Sequence, residues 1–317
     1  MGATYLMSYP AKRWTIRGGE NFRSKEKQAT NPRAAMREWL SLCDAITKHA
    51  GRILVMPPAE VDPPLTGMMY TANAGALFKQ GDAWTWMLSK MSVAHRQAEQ
   101  AHIKAFWAEA GVTTEAATHT WEGQADVATL PGNRFLLTWG VRSVKESIDE
   151  VRKRLPMGAH ALDIKLREPW FHGDTCMDAM TTRGGDTVLL AFGGALVDRT
   201  IPELRNFLGD KVEVLSIEES DCLGYAANSL CVNGTVLMPS GLSTGLRGNL
   251  LKRGFTLEEL ELGELFGKGG GGPRCLVNEL RGFVLTPDAP DYVSRRDQLH
   301  ALAETYPESI GSAEKAL

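Results

Sequence analysis

The chain has 317 residues, with 35 Lys and Arg against 38 Asp and Glu. The resulting net charge of −3 excludes the basic face that a nucleic-acid or membrane-surface partner demands. A composition of 43% hydrophobic and 23% charged residues is that of an ordinary globular chain.

In chain order, the opening MGATYLMSYPAKRW lacks the long apolar core of a signal peptide, and no run reaches the length of a membrane span. The expectation is a cytoplasmic protein. Its five cysteines (43, 176, 222, 231 and 275) form no CxxC pair and stay reduced. Asn31-Pro32 supplies a cap and a first-turn proline, and Met36, Trp39, Leu40, Cys43 and Ile46 follow at helical spacing. Gly51 ends that helix before a buried strand at Ile53–Met56. A second helix is predicted over Ala94–Ala110, and others near Val144–Arg154, Ile201–Leu208 and Leu242–Lys252. Between them lie β-like runs at Phe135–Trp139, Val188–Phe192, Glu213–Ile217 and Thr235–Met238. The alternation reads as an α/β protein.

A longer period underlies it. The segments TANAGALFKQGDAWTWML, WEGQADVATLPGNRFLLTWG, HGDTCMDAMTTRGGDTVLLAFGG and YAANSLCVNGTVLMPSG share one plan. Each runs from a polar residue through an apolar strand and a glycine-bearing turn to a second strand, and GGGGPRCLVNELRGFVL is a fifth, incomplete copy. The leading residues Asn73, Glu122, His172, Asn228 and Cys275 stand 49, 50, 56 and 47 positions apart. A fixed period of this length marks stacked or circular units. Five units in a ring would bring the five leading residues to one central face, where a thiol, an imidazole and carboxylates suit nucleophilic chemistry on a cationic carbon.

These motifs resemble the guanidino-group-modifying, or pentein, superfamily. That superfamily includes arginine deiminases, dimethylarginine dimethylaminohydrolases, arginine dihydrolases and amidinotransferases. Met69–Gly75 looks like its "FTANAG" segment, Trp121–Asp126 like "FEGxGD", and Gly140–Arg142 like the following "GxR" turn. Phe171–Cys176 is similar to "FHLDTC", Ala226–Asn228 to "AxN", and Gly269–Leu276 to the "GGxxxCLT" that presents the nucleophile. The resemblance implies a five-bladed, pseudo-symmetric α/β propeller of ββαβ-type repeats over 1–285, with 286–317 as a C-terminal tail.

The resemblance also implies roles. Cys275 attacks the guanidinium carbon, and His172 protonates the leaving amine and then activates water. Glu122 and Asp174 clamp the guanidinium. Asn73 faces the substrate in the first blade, where an asparagine looks like the arginine dihydrolase branch. Asp126 either binds substrate or holds its turn. Arg142 is a candidate cation for a substrate carboxylate; Arg96 is either a second or a structural arginine. Asn21 belongs to a lid. The chemistry needs no cofactor and no metal ligand spacing is seen. The partner is a small guanidino compound, with a homodimer as the default assembly. The leading function is C–N hydrolysis giving a ureido product such as citrulline, or ornithine by a second hydrolysis. The rivals are transfer of the amidino group to an amine, and an inactive propeller that only binds. Three positions depart from the pattern: Thr66-Gly67 in place of Pro-Asp, Gly173 in place of leucine, and Met177-Asp178 in place of Phe-Cys. The glycine at 173 is expected to loosen the backbone there.

Overall fold

The computed structural model describes residues 2–18, 21–26, 28–59, 61–285 and 289–310. Strands β1 (Thr4–Ser8) and β2 (Arg52–Met56) pair in parallel across helix α1 (Pro32–Lys48). The Asn31 side chain accepts from Ala34 N, which caps α1 as its sequence predicts. Next come the antiparallel pair β3 (Gly75–Gln80) and β4 (Ala83–Leu88), then α2 (Glu99–Glu109) and β5 (Thr113–Ala116), parallel to β4. The same plan recurs in β6 (Val127–Leu130), β7 (Arg134–Trp139), α3 (Lys145–Arg152) and β8 (His160–Lys165). It recurs in β9 (Met177–Thr181), β10 (Thr187–Ala191), α4 (Ile201–Leu208) and β11 (Val212–Ser216). After the short helix α5 (Glu219–Leu223), it recurs in β12 (Leu230–Val232), β13 (Thr235–Pro239), α6 (Thr244–Lys252) and β14 (Thr256–Leu260). Strand β15 (Asn278–Glu279) joins β1 antiparallel, so the two ends of the repeat close one sheet. The result is five three-stranded sheets, each an antiparallel pair followed by a helical crossover to a parallel strand, the pair being a hairpin in all but the β15-β1-β2 sheet. This is the α/β propeller that the fifty-residue period predicts.

The core lies between each sheet and its helix. In the first blade, Trp39, Leu42, Cys43 and Ile46 of α1 pack on Ile53 and Val55 of β2. Residues beyond the repeat form α7 (Tyr292–Ala303), whose Tyr292, Leu299 and Ala303 enter that same core. The second helix begins later than predicted: Ala94–Arg96 is a 3-10 turn, and α2 starts only at Glu99. The break turns Arg96 inward, where it is buried.

What positions the site is the short turn before each inner strand. Four are 3-10 turns, at Thr71–Asn73, Gly123–Asp126, Gly173–Thr175 and Ala226–Asn228. The fifth is the turn at 273–276. Hydrogen bonds stitch them into a ring. Asn73 Nδ2 donates to Glu122 O at 3.4 Å, Gly173 N to Asp126 Oδ1 at 3.1 Å, and Asn228 Nδ2 to Asp174 O at 2.9 Å. Arg274 N donates to Asn228 O at 2.9 Å and Ala72 N to Cys275 O at 3.2 Å, which closes the circle.

Gly123 is the tightest point of this ring. Its φ is +75°, and a Cβ there would lie 2.6 Å from Ala72 O and 2.8 Å from Gly75 N. Both obstacles are backbone, so neither can rotate away. Gly123→Ala is expected to cost on the order of 3 kcal/mol, from left-handed strain plus overpacking, read as a lower urea midpoint at unchanged slope. An unchanged midpoint would show that the ring is not under this constraint.

Candidate active site

Cys275 is the fifth leading residue and is 4% exposed. Its backbone N donates to Asn228 Oδ1 at 3.2 Å, and its thiol donates to Asp174 Oδ2 at 3.8 Å. Asp174 Oδ1 is buried with no hydrogen-bond partner. Burial raises the Asp174 carboxyl to about 6, although His172 and Arg274 work to lower it. Burial also pushes the Cys275 thiol well up, and Asp174 adds to the rise. An acid and a thiol are thus held together where burial outweighs the pull of the nearby positive charge.

His172 Nε2 lies 2.8 Å from Glu122 Oε2, both side chains being buried. Glu122 Oε1 accepts from Ser92 N at 2.9 Å and Ser92 Oγ at 2.5 Å, while Arg142 Nη1 stands 3.5 Å from both oxygens. Burial works to raise the Glu122 carboxyl, but His172, then Arg142 and Arg96, overcome it and hold it well below the usual range. Burial works to lower His172, and Asp126, Glu122 and Asp174 outweigh it, so the imidazole is raised. Glu122 was expected to clamp a guanidinium beside Asp174. The structure occupies its oxygens with Ser92, His172 and Arg142, which makes it the partner of the imidazole.

The other side of His172 is set by a chain of buried polar groups. Arg96 donates from Nε and Nη2 to the two Glu99 oxygens at 2.9 and 3.0 Å, and from Nη1 to Asn73 Oδ1 at 3.1 Å. With its oxygen engaged, Asn73 turns Nδ2 toward His172 Nδ1 at 3.5 Å. A donor on that side and a carboxylate on the other favour the Nε2–H tautomer whenever the ring is neutral. Arg96 therefore holds Asn73 in place, the structural of its two readings.

Asp126 likewise serves its turn. Oδ1 accepts from Thr138 Oγ1 at 2.6 Å and from Gly173 N, and Oδ2 accepts from Ser143 Oγ at 2.5 Å. The expected loosening at Gly173 is not found. A Cβ there would meet Thr138 Oγ1 at 2.6 Å, so the glycine is wrapped tightly and a leucine has no room. The departure at Gly67 is also compensated: a Cβ there would fall 2.1 Å from Arg96 Nε and 2.5 Å from Glu99 Oε1. The Arg96–Glu99 pair fills the space that the family pattern gives to an aspartate.

Facing Cys275 is a small pocket lined by Asn21, Tyr70, Asn73, Arg96, Arg142, Phe171, His172 and Gly269–Gly271. Asn21 Nδ2 donates to Gly269 O at 3.0 Å. Gly270, at φ +80°, admits this contact because a Cβ would sit 2.3 Å from Asn21 Oδ1. Arg142 lies over the Phe171 ring at 5.5 Å. Ser92, Ser143 and Glu99 belong to no motif of the sequence reading. A capped carboxylate next to a motif histidine is the only signal that points to them. Among the described residues, no group of three or more His, Cys, Asp or Glu could hold a metal ion, and no helix is long and apolar enough to cross a membrane.

The Glu122–His172 pair carries a pH signature. The raised His172 contributes stability fully below its unfolded value of 6.5, lost as pH rises through the folded value. The depressed Glu122 contributes stability above its unfolded value of 4.5, lost as pH falls toward the folded value. Both contributions are complete between those two pH values. The melting temperature of the native chain should exceed that of Glu122→Gln most in this window, by several degrees. A difference independent of pH would show that the pair is not charged.

No family model matches the chain. An uncharacterized protein of Caenorhabditis elegans, ZK1307.1, is 24% identical over 248 residues, 78% of this chain and 83% of that protein. The uncharacterized YkgA of Bacillus subtilis (strain 168) is 21% identical over 241 residues, 76% of this chain and 78% of that protein. Among solved structures, the substrate-bound N-terminal domain of ArgZ, an arginine dihydrolase of Cyanobacteria, superposes with a TM-score of 0.77 at 24% identity. It covers 88% of this chain and 98% of that one. A dimethylarginine dimethylaminohydrolase superposes with a TM-score of 0.63 at 17% identity, covering 88% of this chain and all of the other. The chain shares the pentein fold of these structures, a five-bladed α/β propeller.

Proposed function

We propose that this protein hydrolyses a C–N bond of a guanidino compound, with arginine or a modified arginine as substrate and Cys275 as nucleophile. The observation that carries the reading is Asp174, a buried carboxylate with Oδ1 unpartnered and Oδ2 3.8 Å from the Cys275 thiol. A planar cation seated there satisfies the acid with paired N–H donors and lowers the thiol by its charge. The thiol gives its proton to solvent water as the cation binds, and the thiolate then adds to the guanidinium carbon. His172, charged through its contact with Glu122, gives a proton to the departing ammonia or amine and leaves a thiouronium on sulfur. The neutral imidazole next takes a proton from water, whose oxygen adds to the same carbon and expels the thiolate, releasing a ureido product. Arg142, over Phe171 at the pocket wall, is the cation for an amino-acid carboxylate. The space at Cys275 is about 20 Å³, room for a water, so a substrate enters when the Asn21 segment leaves Gly269. The likeness to ArgZ, an arginine dihydrolase, favours arginine, and Asn73 beside His172 favours a second round of hydrolysis.

The test is turnover of arginine and a panel of substituted guanidines in ¹⁸O-water, followed by mass spectrometry. Expected is one ¹⁸O in the ureido product, with one ammonia or amine released per round, and ornithine if a second round follows. A new guanidino compound formed only when glycine is added would replace hydrolysis by amidino transfer. No product from any guanidine would leave the binding-only reading.

A further inference from the structure

Behind the catalytic turns lies a second cavity of about 340 Å³, which Asp126 and Asp174 line but none of the residues around the Cys275 pocket does. It is walled by inner strands of four blades, at Tyr5, Ala128, Met177–Ala179 and Cys231, with Arg274, Glu279 and Arg281 among them. Small residues, Ala3, Ala125, Ala128 and Ala179, keep it open, and charges of both signs line it. Its volume falls in the range of small-molecule sites rather than of a single water.

Asp178 is the informative group. It is 9% exposed, its nearest ion-pairing atom is Arg274 Nε at 4.0 Å, and its carboxyl otherwise takes a backbone bond from Ala179. Burial raises it to about 8 against the pull of Arg274, and Asp174 and Glu279 add to the rise. It lacks the close counter-charge that a buried carboxylate requires. Arg274 is held still by Gln124 Oε1 at 3.0 Å and Val277 O at 3.4 Å, which leaves other N–H groups without a protein acceptor. At the rim, Arg281 pairs with Glu279 at 2.8 Å and is half exposed.

We propose that this cavity is a second binding site, for a compact zwitterion of the α-amino-acid class, with its ammonium on Asp178 and its carboxylate on Arg274. A buried acid that an arriving ammonium would ionise, beside a fixed guanidinium, matches such a ligand and no purely apolar one. Arg274 precedes Cys275 in the chain and bonds through its own N–H to Asn228 O, so an occupant bears on the turn that presents the thiol. The proposal is independent of the reaction assigned to Cys275.

The test is calorimetric titration of the full chain with L-alanine and L-serine, neither of which is a product of the Cys275 site, with L-alaninamide and propionate as probes lacking one charge each. Expected is saturable binding of one or both amino acids at one per chain, with neither single-charge probe saturating. Asp178→Asn should weaken it at least tenfold, and Ala128→Phe, which fills the cavity but keeps its charges, should abolish it. Arg142→Met, on the Cys275 side, should leave it unchanged. Absence of saturation by both amino acids up to about 10 mM, binding insensitive to both cavity variants, or loss in Arg142→Met would overturn the assignment.

Discussion

Cys275→Ser should reduce guanidine turnover by roughly 10⁴-fold or more, since removing a covalent nucleophile removes the reaction path rather than one contact along it. The substitution is nearly isosteric, and the bonds that hold the turn, Cys275 N to Asn228 Oδ1 and Ala72 N to Cys275 O, come from backbone. The variant should therefore melt as the native chain does, and its loss reports chemistry. A second readout is covalent: intact mass after quenching should show the substrate less its departed ammonia or amine added to native protein and no such adduct on the variant. The other thiols cannot replace it. Cys43, Cys176 and Cys222 are buried and raised by burial, and Cys231 lines the separate cavity. Cys275 is itself raised in the empty site, so reactivity must arise with the substrate's charge. Neutral isosteres of the substrate should then fail to form the adduct. Undiminished turnover by the serine variant would remove the nucleophile from this account.

The ring of blades was legible because each repeat writes its own turn. Gly81, Gly132, Gly185 and Gly234 all sit at positive φ between paired strands, and the polar residue fifty positions apart leads each copy. Sequence spacing could place Cys275, His172, Glu122 and Asp174 on one face, but it could not apportion their partners. Whether a carboxylate clamps a ligand or holds an imidazole depends on which neighbours consume its lone pairs. For Glu122 those neighbours are Ser92, from a loop of no recognisable pattern, and Arg142, whose turn was recognisable but whose partner was not. Arg96 illustrates the same limit. Its segment has helical periodicity, yet the helix breaks before Glu99 so that the guanidinium can reach Gly67 O and Asn73 inside. The apolar pattern records burial but not the cost of a buried charge, and that cost sets the local backbone. The Gly67 and Gly173 departures look like losses in one dimension. In three dimensions they are accommodations to Arg96, Glu99 and Thr138.

Asp174→Asn separates the two tasks assigned to that acid, because its consequences run in opposite directions. The carboxylate raises the Cys275 thiol, so neutralising it should lower the thiol's pKa and speed alkylation by iodoacetamide near neutral pH. The same change removes the anion that meets a guanidinium. Losing one member of a buried charge pair costs about 3–5 kcal/mol, so kcat/KM should fall by roughly 10²- to 10⁴-fold. A merely structural role would slow both. The native enzyme should also carry an acidic limb in kcat/KM centred on about 6, where the free-enzyme carboxyl titrates. Activity rises with pH through that value because only the ionised form pairs with a cation, and the asparagine variant should lose the limb while keeping whatever alkaline limb His172 provides. Slower alkylation together with an unaltered kcat/KM would place the guanidinium elsewhere. Faster alkylation with weakened turnover would fix Asp174 as the group that both restrains the thiol before substrate arrives and receives the charge that releases it.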